Sequence, residues 1–328
     1  MKATQLLQKV VNRVSQATTR KRVSPVLTRI PEPMRDLAIK GEYLRVFPYP
    51  TERVIGDYQT EPFITRSTKI VTLGSCFAQE LSKWLVTHNF NCLKDEWGVI
   101  YSPKSLAQIV QYSFDSANWG PSEPMWMLDS KYYFPYLKSA DHSGPRLLGA
   151  SEDEARSSLR EHFKRSQSAM KEADVAVWTL GLTELWRNKR DGYAYYAIPY
   201  PQIFNADVHE FHSLNYEEVI ECLEFSIQTC KSNNPKLKII LSVSPIPLSM
   251  SFRSHLGPYV ATQYSKSILH AAALRLTEKY DHVSYMPSYE LVRNDPRANY
   301  TSDGRHVTRS CVDLVMDSFK KLYVLESA

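Results

Sequence analysis

The feature that most constrains the fold is a short apolar run that ends in a tight turn and continues directly into a helix. After Lys69, residues 70–73 are β-branched or apolar, Gly74 to Cys76 form the turn, and the helical pattern extends to His88. Such a unit places Cys76 at a helix N-terminus above the carboxyl end of a parallel strand, where open α/β sheets bind ligands. The helix dipole there predicts a lowered pKa for the thiol. The predicted buried stripe of this helix is Phe77, Leu81, Trp84 and Leu85.

Strands and helices alternate along the rest of the chain. Apolar runs predict core strands at 174–180 and 238–244, and shorter strands at 91–93 and 282–286. Helical patterns cover 103–112, 151–170, 216–230 and 259–280, and one more helix ends the chain. This alternation predicts an α/β fold, a three-layer α/β/α sandwich with a mostly parallel sheet.

Length and composition predict one large domain with appendages. The 328 residues are 43% hydrophobic and 23% charged, which is typical of a soluble globular protein. We assign residues 1–64 to a basic N-terminal arm and lead-in and residues 65–328 to the domain. Two stretches, at about 113–150 and 186–214, lack clear periodicity and predict irregular insertions.

The N-terminal arm is basic and amphipathic. Residues 1–31 hold seven basic side chains and no acidic one, although the whole chain carries only +5, which is no argument for nucleic-acid binding. Leu6, Leu7, Val10, Val11 and Val14 share one side, so the segment suits an anionic membrane surface. Docking to a protein partner or a half-ordered arm is an equally good interpretation.

The cysteines and the hydropathy suggest a cytoplasmic protein. Five cysteines form no C-x-x-C pair and are odd in number, which argues against a disulfide framework and for a reducing compartment. No apolar run approaches the ~20 residues that span a bilayer, and residues 1–31 lack a secretory signal pattern. We therefore expect a cytoplasmic location, with membrane-peripheral contact through the arm as an alternative.

A second polar cluster precedes the last helix and suggests a partner for Cys76. Asp303 and His306 lie three residues apart on a loop, so the carboxylate can fix the imidazole tautomer while the other ring nitrogen faces a nucleophile. Cys76, His306 and Asp303 then form a candidate triad. Two alternatives stay open: Cys76 as a small residue that closes a turn, and Ser75 as the nucleophile in its place.

Several short strings, in order from residue 69 to the C-terminus, resemble the GSCFA domain family, a bacterial branch related to the SGNH/GDSL esterases. They are GSCFA at 74–78, GVIYSP at 98–103, TLGLTELW at 179–186, SVSPIP at 242–247, YSKS at 264–267, YMPSYE at 285–290 and DGRH at 303–306. The resemblance implies the flavodoxin-like SGNH-hydrolase fold. It also implies that Cys76 occupies the nucleophile position, that Ser75 occupies that of the SGNH aspartate, and that Asp303 and His306 form the last block.

The resemblance is weakest at the oxyanion hole. Where SGNH enzymes carry Gly-x-Asn-Asp, this chain has Gly181, Leu182, Thr183 and Glu184, and only the Thr183 hydroxyl can replace the asparagine as a donor. Ser102 also stands where the family pattern suggests asparagine. The residues that we expect to bind substrate or the oxyanion are Ser75, Gly98, Gly181, Thr183, Glu184 and Ser244.

Other candidate sites carry weaker signals. His209 and His212 lie near Asp207, but H-x-x-H lacks the spacing of helical metal ligands, so we expect a polar loop cluster and no metal site. Lys266 and Arg305 can bind a carboxylate or phosphate, or they are solvated or paired. The aromatic residues past Thr183 suit a sugar, or simply pack the insertion on the sheet: Trp186, Tyr193, Tyr195, Tyr196, Tyr200 and Phe204.

These residues together predict acyl transfer. Cys76 attacks an ester or thioester, and a sugar hydroxyl or water resolves the acyl-enzyme. We expect an acetyl- or acyltransferase that acts on a carbohydrate or glycoconjugate, with no tightly bound cofactor and with acyl-CoA as a candidate donor. A carbohydrate esterase of the same fold, or a binding module without catalysis, is the alternative.

Overall fold

The structure is a computed structural model that describes residue 58 and residues 60–93, 97–139, 144–293 and 299–325. The chain divides into two units, Met1–Tyr58 and Gln59–Ala328, and the described residues other than Tyr58 belong to the second. The basic segment 1–31 and most of the lead-in lie outside the described residues.

The elements of the second unit follow one another in an order that alternates strands with helices. They are β1 (Ile70–Gly74), α1 (Cys76–Thr87), α2 (Pro103–Phe114), β2 (Trp126–Leu128), β3 (Lys131–Lys138), β4 (Pro145–Gly149), α3 (Glu152–Glu172), β5 (Val175–Leu180), β6 (Glu184–Asn188), β7 (His209–Ser213), α4 (Tyr216–Asn233), β8 (Lys238–Val243), α5 (Gly257–Lys279), β9 (Val283–Met286), α6 (Ser288–Arg293) and α7 (Arg309–Tyr323).

The central sheet has the order β1-β5-β8-β9, and its neighbouring strands are parallel. Every residue of β1 and β5 is buried, as expected for strands that are covered on both faces. The α/β class and the mostly parallel sheet are therefore confirmed. Because Gly74 is in register with Thr179, which pairs with Ser242, the carboxyl ends of three strands meet at one edge.

The predicted strand at 91–93 is reduced to a single bridge. Cys92 pairs in parallel with Ile70, on the side of β1 that β5 leaves free. With this bridge counted as a vestigial strand, the sheet has the flavodoxin-like order 2-1-3-4-5. The point at which the order reverses is β1, whose carboxyl end leads into Cys76.

Helix boundaries follow local capping. Ser75 caps α1 by accepting a hydrogen bond from the Phe77 N–H at 3.3 Å, and Asn215 and Glu218 form a capping box at the start of α4. In α1, Leu81 and Leu85 are fully buried as predicted, whereas Phe77 and Trp84 are only half-buried. Burying each leucine contributes about 1.5–3 kcal/mol, so this face holds α1 against the sheet.

Both stretches that we predicted to be irregular contain strands. Residues 113–150 include the antiparallel sheet β2-β3-β4, and residues 186–214 include most of the hairpin β6-β7. The first prediction failed because β3 (KYYFPYLK) contains a proline, has register shifts and shows no clean alternation of burial. In the second, only five-residue strands flank a long connection. Among the described residues, no helix combines the length and apolarity that crossing a bilayer requires.

Candidate active site

The turn that carries Cys76 is fastened to the end of β5. Gly74 has φ +133°, and a Cβ on it would lie 2.2 Å from the Thr179 carbonyl oxygen, so only glycine fits. The Ser75 N–H donates to the Thr179 carbonyl at 3.0 Å and to its hydroxyl at 2.8 Å. This close approach fixes the first turn of α1 above the sheet edge.

Ser75 and Cys76 have different surroundings. The Ser75 hydroxyl is buried, caps α1 and lies 3.0 Å from the Thr179 hydroxyl. Cys76 is exposed, whereas Cys92 and Cys222 are partly buried and Cys230 and Cys311 are buried. Because the serine hydroxyl already has structural partners, this placement favours Cys76 over Ser75 as a nucleophile.

Cys76 opens into a cavity of about 430 Å³ at the carboxyl edge of the sheet. His306 lines the same cavity, so the thiol and the imidazole of the candidate triad share one space. Of the other expected site residues, Ser75, Gly181, Glu184 and Ser244 line the cavity, and Gly98 and Thr183 do not.

Asp303 holds the imidazole of His306 in a defined tautomer. Its Oδ2 is hydrogen-bonded to Nδ1 of His306, and its Oδ1 accepts from the Thr301 hydroxyl at 2.6 Å and from the N–H groups of Arg305 and His306 at 2.9 Å each. These bonds, led by the one from Thr301, lower the pKa of Asp303. With Nδ1 engaged, Nε2 is the nitrogen that remains for a proton from Cys76.

The thiol is less acidic than its helix position predicts. Burial among the cavity walls raises the pKa of Cys76, although Lys266 and the N–H groups of Cys76 and Phe77 act in the opposite direction. The side chain is reachable from the cavity, yet protein atoms surround it, so desolvation outweighs the dipole. The predicted lowered pKa is therefore wrong. A thiol of this kind needs a base before it can act as a nucleophile.

Lys266 is a buried cation beneath this site. Its side chain is 1% exposed, and Nζ donates to the Gly181 carbonyl at 2.6 Å. No carboxylate pairs with it among the described residues, and burial lowers the pKa of Lys266 to about 7, opposed by its attraction to Cys76. The alternative that Lys266 directly binds a substrate anion does not fit this placement, because the lysine is not part of the cavity wall.

The residues expected at the oxyanion hole do not converge on the thiol. Thr183 is fully buried, and its hydroxyl lies 2.7 Å from that of Ser265. The Gly181 N–H donates to the Tyr101 carbonyl at 3.1 Å. The hydrogen bond that we expected from Thr183 to an oxyanion is thus replaced by one inside the core, and the donors that act on the thiol are the backbone N–H groups of Cys76 and Phe77.

Glu184, Ser244 and Gly98 have other roles. Glu184 lies on the cavity wall, where burial raises its pKa and Oε1 accepts from the Ser251 hydroxyl at 2.8 Å. Ser244 lines the cavity below, and its N–H donates to the Leu180 carbonyl at 2.8 Å. Gly98, with φ +68°, serves the turn that leads to Tyr101.

The aromatic residues past Thr183 divide into two groups. Trp186, Tyr195 and Tyr196 line the cavity, Tyr193 and Tyr200 pack against the core, and Phe204 is an exposed residue whose ring contacts that of Trp186. Phe252, from the loop after β8, contacts Trp186 at a ring distance of 5.0 Å and completes an apolar wall. The sequence analysis predicted part of this wall, because several of its aromatic residues follow Thr183 closely. It did not identify Phe252, whose loop shows no periodic pattern.

The two histidines considered for metal binding lie on β7, and neither lines the cavity. Nε2 of His209 is 3.0 Å from a Glu123 carboxylate oxygen, and Nε2 of His212 is 2.7 Å from one of Glu218. The polar loop cluster that we expected here is therefore two separate pairs on a strand. Spaced by three residues, the two side chains lie on opposite faces of that strand.

Tyr101 is a cavity residue that the sequence did not single out. Its phenol lies near Cys76 and Arg305, and burial and the cysteine raise its pKa while the arginine lowers it. The motif GVIYSP was the only signal available, and it identified the segment without showing which side chain reaches the thiol.

Comparison with known proteins gives a family and distant structural likenesses. No curated protein matches the sequence. A GDSL-like lipase from Bacteroides thetaiotaomicron is 13% identical at a TM-score of 0.36, covering 80% of this chain and 90% of that one. A carbohydrate esterase family 3 protein from Talaromyces cellulolyticus is 12% identical at a TM-score of 0.30, covering 77% and 95%. Values this low lend no argument about activity.

The match to a sequence family, in contrast to these distant structural likenesses, covers most of the chain. The sequence pattern of the GSCFA family matches residues 69–319, a span that begins just before β1 and ends within α7. It covers Cys76, the cavity and the loop that carries Asp303 and His306. The chain belongs to the GSCFA family.

Proposed function

We propose that this protein transfers acyl groups through a thioester on Cys76. The observation that supports the proposal is the shared cavity: the most exposed of the five cysteines and a histidine oriented by a carboxylate line the same space. A triad is recognised by geometry and roles rather than by order in the chain. In this arrangement His306 is the general base and Asp303 orients it.

The reaction proceeds in two halves. His306 takes the proton of Cys76 as the sulfur attacks the carbonyl carbon of an ester or thioester, and the N–H of Cys76 stabilises the developing oxyanion. The tetrahedral intermediate then breaks its bond to the leaving alcohol or thiol, which receives the proton from His306. A hydroxyl group attacks the acyl-enzyme by the reverse steps and restores the thiol.

The acceptor that we propose is a hydroxyl of a carbohydrate or glycoconjugate, and the donor is an acyl thioester such as acetyl-CoA. Support for a ring-bearing acceptor comes from Trp186 and Tyr196 on the cavity wall. A carbohydrate esterase differs only in using water for the second half-reaction. A thiol nucleophile has to stay reduced, which is why we also propose a cytoplasmic location.

A binding module without catalysis is the second candidate, and one observation favours it. Thr183 and the Gly181 N–H, which we expected to stabilise an oxyanion, already have partners inside the protein. Without these two groups only the backbone N–H groups of Cys76 and Phe77 remain for an oxyanion, and the chemistry would be slow, since losing one donor typically costs about 10²–10³ in rate.

Mass spectrometry of the intact protein separates these candidates. After incubation with a panel of acyl thioesters, the wild type should gain one acyl group, Cys76→Ala should gain none, and Cys222→Ala should behave as the wild type. Discharge of the group on adding an oligosaccharide, and not in buffer alone, indicates a transferase. An acyl mark that persists in Cys76→Ala removes Cys76 from the nucleophilic role, and the absence of both a mark and released free acid with every donor favours the binding module.

A further inference from the structure

The cavity wall holds an arginine whose charge has no partner. The Nε of Arg305 is buried without a hydrogen bond, and among the described residues its guanidinium makes no hydrogen bond or ion pair. A guanidinium is always charged in proteins and offers five N–H donors. Because the side chain lines the cavity and no acceptor inside the described part of the protein occupies it, an anionic group of a ligand there would gain charge-assisted hydrogen bonds from the guanidinium.

The backbone of Arg305 is anchored in the loop that also carries His306. Its backbone N–H donates to Oδ1 of Asp303 at 2.9 Å, the same carboxylate that holds His306. Its charge acts on the phenol of Tyr101, which in turn lies near Cys76. One carboxylate therefore anchors both the candidate base and the arginine on the same side of the cavity.

The rest of the wall does not compete for this charge. Glu184 is the only acidic side chain among the described residues that line the cavity, and its Oε1 already accepts from Ser251. The remaining wall is largely apolar, with Trp186 and Phe252 as its bulkiest members. An anion entering the cavity would meet Arg305 without displacing an internal ion pair.

We infer that Arg305 binds an anionic group, a carboxylate or a phosphate, on the acyl compound that reacts with Cys76. The substrate class is then an ester or thioester that carries a negative charge close to its reacting carbonyl. Calling this compound the substrate rests on the proposed function, whereas anion binding beside the thiol does not. The planar fork of arginine suits both kinds of oxyanion.

Two alkylating reagents of similar size test the inference without any acyl transfer. Iodoacetate is an anion and iodoacetamide is neutral, and both react with the same thiolate, so the ratio of their rates at Cys76 cancels the thiolate fraction. Wild-type protein should show a ratio about tenfold above that of free glutathione, since a charge-assisted hydrogen bond is worth roughly a factor of ten or more. Arg305→Gln should bring the ratio down to the glutathione value.

Variants and competing anions complete the design. Arg305→Lys keeps the charge and should retain most of the ratio, and Arg156→Gln, on the exposed face of α3, should leave it unchanged. Inorganic phosphate and acetate are then compared as competitors, each at an ionic strength matched with sodium chloride. The anion that slows the reaction of Cys76 with iodoacetamide more is the preferred ligand. An equal ratio in wild type and Arg305→Gln overturns the inference, as does an equal loss of both rates, which would mean that Arg305 acts on the thiol. Failure to form an acyl-enzyme would leave this ratio unaffected.

Discussion

The most distinctive prediction concerns Lys266, a buried ammonium without a carboxylate partner among the described residues. Its pKa is lowered from 10.5 to about 7 because burial penalises the charged form. Each unit of pKa corresponds to about 1.4 kcal/mol, so holding the protonated lysine in the fold costs about 5 kcal/mol. Lys266→Met removes the charge and keeps an unbranched side chain of similar length.

The direction of the pH dependence follows from proton linkage. The unfolded lysine keeps its proton up to its ordinary pKa of 10.5, whereas the folded one loses it above about 7, so unfolding takes up a proton between these values. The cost is therefore absent above pH 10.5, grows as the pH falls, and is fully present below 7. Relative to the deprotonated lysine, it is about 2 kcal/mol at pH 9 and about 5 kcal/mol at pH 6.

Urea unfolding followed by tryptophan fluorescence measures this difference. The free energy of unfolding of Lys266→Met, minus that of the wild type, should increase by about 3 kcal/mol between pH 9 and pH 6 and level off below pH 6. Loss of the hydrogen bond to the Gly181 carbonyl changes this difference in unfolding free energy by a nearly constant amount, so it does not affect how the difference varies with pH. Lys171→Met, at an exposed position near the end of α3, is the control and should show no such trend. If the difference in unfolding free energy between Lys266→Met and the wild type did not change with pH, Lys266 would not be a buried, unpaired ammonium.

Two further predictions follow from the turn and the loop around Cys76. Gly74→Ala should lower the free energy of unfolding in urea by about 3 kcal/mol or more, because its Cβ would overlap the Thr179 carbonyl. The control Gly192→Ala has positive φ but no neighbour within 4 Å and should cost only about 1–2 kcal/mol. Equal losses in the two variants would contradict the steric explanation. Asp303→Asn should slow acylation of Cys76 about a hundredfold at neutral pH, measured by stopped-flow release of p-nitrophenol from its acetate, because the imidazole loses its orienting carboxylate. Since the pKa of Asp303 is lowered, protonation of this carboxylate should not reduce the wild-type acylation rate above about pH 4. An acylation rate in Asp303→Asn equal to that of the wild type would show that the Asp303–His306 pair does not assist the thiol.

The sequence predicted the parts of the site that depend on local pattern. The apolar run before Gly74 and the helical spacing after Cys76 place the thiol at the sheet edge, because parallel strands end on one side. Asp303 and His306 are close in sequence, so their pairing needs only a loop. These features need no knowledge of long-range packing.

The features that the sequence did not predict depend on packing between distant segments. We predicted Thr183 to be an oxyanion donor, but in the structure its hydroxyl is hydrogen-bonded to that of Ser265 in α5. Lys266 was expected to bind an anion, or else to be solvated or paired with an acid, although it lies on the buried face of α5. The acidity of Cys76 was misjudged for the same reason, because the sequence shows the helix N-terminus and hides the desolvation that outweighs it.

The central claim is that Cys76 and His306 work as a pair, and peptide-resolved alkylation with iodoacetamide at neutral pH tests it most directly. Cys76 should react at least tenfold faster than each of the other four cysteines, and His306→Ala should remove most of that advantage, since the imidazolium formed by proton transfer stabilises the thiolate. The same Cys76 rate in wild type and His306→Ala would contradict the pairing, and with it the proposed chemistry.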